Sequence, residues 1–258
     1  RKTLKIFLLL MSKSLNIFGF HSLESLLKST PELVLKVFIQ IGRDDKRILS
    51  LLDDLALQKI SILKVDKNKL DQLSNGETHQ GVISEIIMPT FPGEKILIES
   101  IKNSSKKPLI LILDSIQDPR NLGACLRSAN AAGVDFVIIN KDGSAPINSL
   151  VYKASAGAIN SLQIFLVTNI VRTIKAIQNE GLWVIGLDGN ATTSIYDVNL
   201  ADSTAIVMGS EGKGIRQLIK KTCDQLVIIP MSGNIESLNV SVATGIALFE
   251  SMRQRKTS

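Results

Sequence analysis

From residue 108 onward the chain alternates between two patterns of apolar residues. The runs LILIL (109–113), DFVIIN (135–140), SLQIFLV (161–167), LWVIGLD (182–188), TAIVMG (204–209) and QLVIIP (225–230) are short and continuous, as in strands buried on both faces. Between them, NLGACLRSANAAG (121–133), a stretch near 150–159, NIVRTIKAIQNEG (169–181), GIRQLIKKTCD (214–224) and the segment after Leu238 read as helices. The alternation predicts an α/β domain over residues 108–258, with a parallel sheet covered on both faces by helices. In such domains ligands collect where strand ends meet helix starts.

Residues 16–87 repeat the alternation on a smaller scale. GFHSLESLLKS predicts a helix and LVLKVFIQI a strand, and DKRILSLLDDLALQK predicts an amphipathic helix with Ile48, Leu51, Leu52 and Leu55 on one face. ISILKV and GVISEII follow as strands, with KLDQLSN between them as a helix. Residues 88–107, MPTFPGEKILIESIKNSSKK, hold two prolines, a glycine and a lysine-rich polar stretch around a short apolar patch, and are expected to be an interdomain linker.

Residues 1–15 carry a basic start and the run IFLLLM. That run is short, is interrupted by Lys13 and precedes no small-residue cleavage site, which argues against a secretory signal. The chain does not begin with Met, and Met11 directly precedes the first organised segment, so residues 1–10 are expected to lie upstream of the natural start and 1–15 to form a disordered tail. No apolar run approaches the roughly 20 residues of a membrane-spanning helix.

Formal charge is +6, but four of the basic residues lie in that tail and the two main segments are each close to neutral, so net charge alone says little about partners. Two cysteines, Cys125 and Cys223, without a CxxC pair, suit reduced thiols and a cytoplasmic protein. His21 and His79 are the only histidines. That excludes a Ser-His-Asp triad or a histidine-ligated zinc in the C-terminal half, and no metal is expected.

Three loops at strand ends carry candidate chemistry. DSIQDPRNLG (114–123) has Asp, Asn and Pro suited to starting a helix, and the helix bears Arg127 among small residues, where a long cation can reach a phosphate or carboxylate. VMGSEGKGI (207–215) resembles a phosphate loop, but Gly209 and Lys213 are too close for GxxxxGK[ST] and Gly214 replaces the hydroxyl. Its glycines permit close backbone approach to a ligand, and Glu211 is its only acid. IPMSGNIESLNVSVATGIALFE (229–250) passes from a polar turn into small and β-branched residues, with Ser237 or Asn239 able to cap the final helix. Taken alone, the first loop reads as a structural helix cap and the third equally as a cap or a site; three glycine- or asparagine-marked loops in one domain point to a small-molecule pocket. GxGxxG is absent, against the usual dinucleotide fold.

DPRNLGACLRSANAAG, VMGSEGKGI and IPMSGNIESLNVSVATGIALFE resemble, in order, the three motifs of the SpoU/TrmH family of S-adenosylmethionine-dependent RNA 2′-O-methyltransferases, the SPOUT group. GFHSLESLL and THQGVISEI are similar to the extra N-terminal RNA-binding domain of the family members that methylate a guanosine in the peptidyl-transferase region of 23S ribosomal RNA. The resemblance implies a C-terminal trefoil-knotted parallel-sheet domain, against the rule that connections do not thread loops. It also implies a homodimer. S-adenosylmethionine is expected against backbone groups of Gly209, Ile229 and Leu238, near the turns at Leu187 and Gly189 and at Pro230 and Met231. Asn121 and Arg127, Glu211, and Ser237 and Asn239 match the family's polar motif residues. Arg127 is the family's proposed activator of the ribose hydroxyl, positioned by Glu211.

A guanidinium is almost always protonated and is a poor general base. Arg127 is therefore expected to bind an RNA phosphate and the ribose, while the proton leaves by another route. Arg43, Lys46 and Arg47 are candidates for an RNA patch in the N-terminal domain, or for a solvated face. A transfer-RNA or other ribosomal target, and a non-catalytic ribosome-assembly factor, remain as alternatives. A bulky residue at Gly245 is expected to damage packing or dimerisation.

Overall fold

The structure is a computed structural model that describes residues 14–235 and 237–257. The expectations for residues 1–13 lie outside the described residues; Ser14 and Leu15, assigned to the tail, instead open the first strand. The chain divides into two compact units, one built from residues up to 90 plus 147–161, the other from 91–146 and 162 onward.

The first unit runs β1 (Ser14–Phe18), α1 (Phe20–Ser29), β2 (Val34–Gln40), α2 (Lys46–Leu57), β3 (Ser61–Val65), α3 (Lys67–Leu73) and β4 (Val82–Ile87). Its sheet is mixed, in the order β1-β4-β2-β3, with β4 antiparallel to β1 and β2, and β3 parallel to β2. The Asp45 side chain accepts from the Ile48 N–H and caps α2, whose Ile48, Leu51 and Leu55 are buried as their spacing predicts. Leu52, placed on the same face, is half-buried. Phe18, Phe38, Leu70 and Ile83 form one core cluster.

The second unit opens with α4 (Glu94–Lys102), β5 (Leu109–Leu113), α5 (Pro119–Ala131) and β6 (Phe136–Asn140). The chain then returns to the first unit for α6 (Ser149–Ser155) before continuing with β7 (Gln163–Val167), α7 (Ile170–Asn179), β8 (Trp183–Leu187), β9 (Thr204–Met208), α8 (Gln217–Lys220), β10 (Gln225–Val227) and α9 (Val240–Thr257). Six strands lie in the order β10-β8-β9-β5-β6-β7, and every neighbouring pair is parallel. All residues of β5, β6 and β9 are buried, which accounts for the continuous apolar runs in the sequence. The far end of α9 is fastened by Arg255, which donates to the carbonyls of Leu200 (3.2 Å), Lys107 (2.7 Å), Pro108 (3.3 Å) and Asp202.

Two boundaries differ from expectation. The 88–107 segment contains α4, whose Leu97 and Ile101 enter the core of the second unit with Ile170 and Ile174. Glu94 secures it by an ion pair to Arg172 (2.9 Å) and by accepting a hydrogen bond from Thr173 Oγ1 (2.5 Å). Residues 147–161, expected in the C-terminal domain, pack with the first unit instead. Ser25 Oγ donates to the Gly157 carbonyl at 2.8 Å, and Lys153 pairs with Glu77 at 2.9 Å.

Candidate active site

Because the six strands are parallel, the loops following β10, β8, β9 and β5 open along one edge, on four neighbouring strands. After β5, Asp118 accepts from the Arg120 N–H at 2.7 Å and, with Pro119 in the first turn, starts α5. This places Asn121 in the helix's first turn. After β9, a Cβ on Gly209 would lie 2.1 to 2.3 Å from backbone atoms of Gly214 and Ile215, so only glycine fits. The Gly214 N–H closes the turn on the Ser210 carbonyl at 2.8 Å, and Glu211 stands exposed within it.

Asn239 joins the three motifs. Its Nδ2 donates to Glu211 Oε1 at 2.6 Å and to Asn121 Oδ1 at 3.1 Å. Its Oδ1 accepts from the Ser241 N–H at 2.9 Å and from Ser241 Oγ at 2.5 Å. One side chain thus caps α9 and ties together residues 118 and 28 positions away. The amide orientation follows from its partners, since two acceptors face the nitrogen and two donors face the oxygen.

Arg127 lies further along α5 and is exposed; among the described residues its guanidinium makes no hydrogen bond or ion pair. Ser237 is likewise exposed and does not join the cluster. Leu187, Ile229, Met231 and Leu238 are half-buried, Gly209 is buried, and Gly189 is exposed with open space where a Cβ would stand. Among the described residues, no backbone–backbone hydrogen bond outside the regular elements uses a main-chain group of Ile229, Met231 or Leu238. These groups remain free for a ligand, as a backbone-recognised cofactor requires.

Between the loops after β5 and β9 lies a cleft of about 640 Å³, lined among others by Ser115, Gln117, Asn121, Glu211, Lys213 and Arg216. Two ion pairs border it that sequence reasoning missed. The fully buried Asp114 pairs with Arg216 (2.7 Å), and Asp188 pairs with Lys220 (2.6 Å). Burial works to raise the Asp188 carboxyl, but the hydrogen bonds from Lys220 and the Asn190 N–H hold it below its usual range. The sequence carries a signal for them: both acids directly follow apolar strands, in LILILD and LWVIGLD.

Burial pushes the thiols of Cys125 and Cys223 up to about 11 and about 12, so both stay protonated at neutral pH. Cys125 Sγ lies 3.4 Å from Thr244 Oγ1, where α5 meets α9. Gly245 faces α5 in the same contact; its Cβ would meet Ser128 Oγ at 3.8 Å, so alanine fits and a larger side chain presses on α5. In the first unit, Arg43 donates to Asp45 and to the Gln80 carbonyl, and Arg47 pairs with Glu24 (3.1 Å) above the Phe20 ring. Two of the three candidate RNA-patch cations are therefore engaged by the protein itself.

A model of the SpoU rRNA Methylase family matches residues 108–249, and one for RNA 2′-O ribose methyltransferase substrate binding matches residues 16–92. A Haemophilus ducreyi protein named 23S rRNA (guanosine-2′-O-)-methyltransferase RlmB is 46% identical over 240 residues, covering 93% of this chain and 97% of its own. A crystal structure described as an RNA 2′-O ribose methyltransferase is 27% identical with a TM-score of 0.79, over 95% of this chain and 90% of its own. The SpoU methyltransferase AviRb from Streptomyces viridochromogenes, in complex with the cofactor AdoMet, shares the fold at 21% identity and a TM-score of 0.78, over 95% of this chain and 92% of its own. Among the described residues no helix is long and apolar enough to cross a membrane. The three expected motifs meet in one hydrogen-bonded cluster, and the family match spans more than half of the sequence: the chain belongs to the SpoU rRNA methylase family.

Proposed function

We propose that the protein transfers a methyl group from S-adenosylmethionine to the ribose 2′-hydroxyl of a guanosine in the peptidyl-transferase region of 23S ribosomal RNA. The observation that carries this reading is the junction of Asn121, Glu211 and Asn239, from three separate loops, at the carboxyl edge of the sheet. It stands in a chain 46% identical, over nearly its whole length, to a protein named for that reaction.

The cofactor supplies an electrophilic methyl group when bound. Gly209, Ile229 and Leu238 would hold it through main-chain groups, with Leu187, Gly189 and Met231 around it. The free backbone groups of Ile229, Met231 and Leu238 and the open space at Gly189 suit that task. In this reading the chain passes through the trefoil knot at the same place.

Asn239 fixes Glu211 and Asn121 relative to each other, so the ribose meets a preorganised polar wall. Arg127, free among the described residues, binds an RNA phosphate beside the ribose rather than taking the hydroxyl proton, which passes to that phosphate or to water, since a guanidinium stays protonated. Ser237 lies in the turn leading to Asn239 and serves the same wall. A site organised around a 2′-hydroxyl rejects deoxyribose.

Residues 16–87 bind RNA in this proposal, and Lys46 is the cation of the candidate patch left for it. Val242 and Phe249 are exposed, with Ile246 between them on the same face of α9, an apolar stripe suited to a homodimer interface. The site of action is cytoplasmic. Mapping ribose methylation across 23S ribosomal RNA in a strain lacking the gene tests the reading. One guanosine in the peptidyl-transferase region should lose its methyl group and regain it when the gene is restored; an unchanged map rejects the proposal.

A further inference from the structure

We propose that Arg216, oriented by the buried carboxylate of Asp114, binds one backbone phosphate of the RNA substrate; the inference rests on the RNA-methylating function proposed for the same cleft. Asp114 is 0% exposed at the end of β5. Its Oδ1 accepts from Arg216 Nε at 2.9 Å, lies 2.7 Å from Arg216 Nη2 and accepts from Ser115 Oγ at 3.0 Å, while Oδ2 accepts from the Arg216 backbone N–H at 3.1 Å. The carboxylate is thus bound on both oxygens and out of reach of a ligand.

A guanidinium carries five N–H donors in a rigid plane. Asp114 engages the edge formed by Nε and Nη2, which leaves the Nη1 edge open. The side chain is 54% exposed and lines the cleft together with Glu211 and Asn121. A planar fork fixed on one edge and open on the other is preorganised for two parallel bonds to a phosphate. A purely structural latch accounts for the buried acid but leaves the open half of the guanidinium unused. Lys220 repeats the arrangement on the same cleft: its side chain is 20% exposed and is held by Asp188, which is 10% exposed. Lys213 adds a third cation.

The test is the affinity of the full chain for a 23S fragment spanning the peptidyl-transferase region, measured across a series of KCl concentrations. The variants are the double substitution Asp114→Asn with Arg216→Gln, which leaves no unpaired buried charge, and Arg216→Lys, which keeps the charge but loses the fork. With the fold checked by thermal unfolding, the double variant should bind roughly tenfold more weakly. Its plot of log affinity against log salt should be shallower by about 0.7, the loss of one phosphate contact to a single strand. Arg216→Lys should keep the slope and lose part of the affinity. A latch without RNA contact would change stability and leave the slope alone. A folded double variant with wild-type affinity and slope overturns the role of Arg216 while the wider function stands; a wild-type chain that binds no RNA overturns both. If the double variant fails to fold, Arg216→Lys decides, and unchanged affinity contradicts the proposal.

Discussion

Each unit contains an arginine paired with a carboxylate, and the two pairs differ in where the acid sits. In the first unit, Arg47 meets Glu24 with side chains 42% and 35% exposed, on the outer face of helices that cover a mixed sheet. In the second, Arg216 meets Asp114, which directly follows a strand whose residues are all buried and is itself 0% exposed. Both arginines are counted alike in a net charge. A surface pair exchanges one hydrated partner for another, whereas a buried acid has no alternative to its cation. The parallel sheet forces this contrast: with both faces committed to packing, polar groups can meet only at strand ends, and there they are held in place.

Breaking each pair measures the difference. Arg216→Ala leaves the Asp114 carboxylate buried without a cation, held only by Ser115 Oγ and a backbone N–H, and should cost about 3 kcal/mol in denaturant unfolding. Gly209→Ala comes next, because its Cβ overlaps the backbone of Gly214 and Ile215; a loss of about 1–3 kcal/mol is expected in the same assay, with displacement of the loop that carries Glu211. Arg47→Ala, with a ring contact of 4.4 Å to Phe20 besides its ion pair, should cost about 1 kcal/mol or less. If Arg47→Ala proved as damaging as Arg216→Ala, burial would not be what separates the pairs.

The smallest effect concerns acid. The Asp188 carboxyl is depressed in the folded state, so its contribution is complete above its unfolded value, near 4, and is lost as pH falls through the lower folded value. Unfolding midpoints should therefore show a full and constant contribution from this pair between neutral pH and about pH 5, and a decline below about pH 4 that Asp188→Asn reduces. An equal acid decline in Asp188→Asn would remove the Lys220 contact from the account.

Much of this contrast was legible before the structure. The continuous apolar runs of 108–230 gave the parallel strands, and the three loops with Asn121, Glu211 and Asn239 marked the edge where they now meet. What periodicity could not supply was partnership. Nothing in the spacing says that Asp114 will face Arg216 across 102 positions, or that Arg43 and Arg47 will turn to Asp45 and Glu24. Helix α4 escaped because Pro92 and Gly93 precede it and a lysine-rich polar stretch follows; only its Leu97 and Ile101 spacing betrays the buried face. Residues 147–161 could not be assigned to their unit because their contacts, such as Lys153 to Glu77, are non-local. The resemblance to the family, by contrast, rested on the motif residues themselves, and two of the five, Arg127 and Ser237, stay outside the hydrogen-bonded cluster.

The proposed site of methyl transfer is the Asn121–Glu211–Asn239 junction, and single-turnover transfer of labelled methyl from S-adenosylmethionine to a 23S transcript by wild type and Asn239→Ala, at saturating RNA, tests it. Loss of the α9 cap should cost about 1 kcal/mol of stability and leave the protein folded. Loss of the amide that fixes Glu211 and Asn121 should slow transfer at least about a hundredfold, with RNA affinity unchanged. Transfer at the wild-type rate by folded Asn239→Ala would contradict the account.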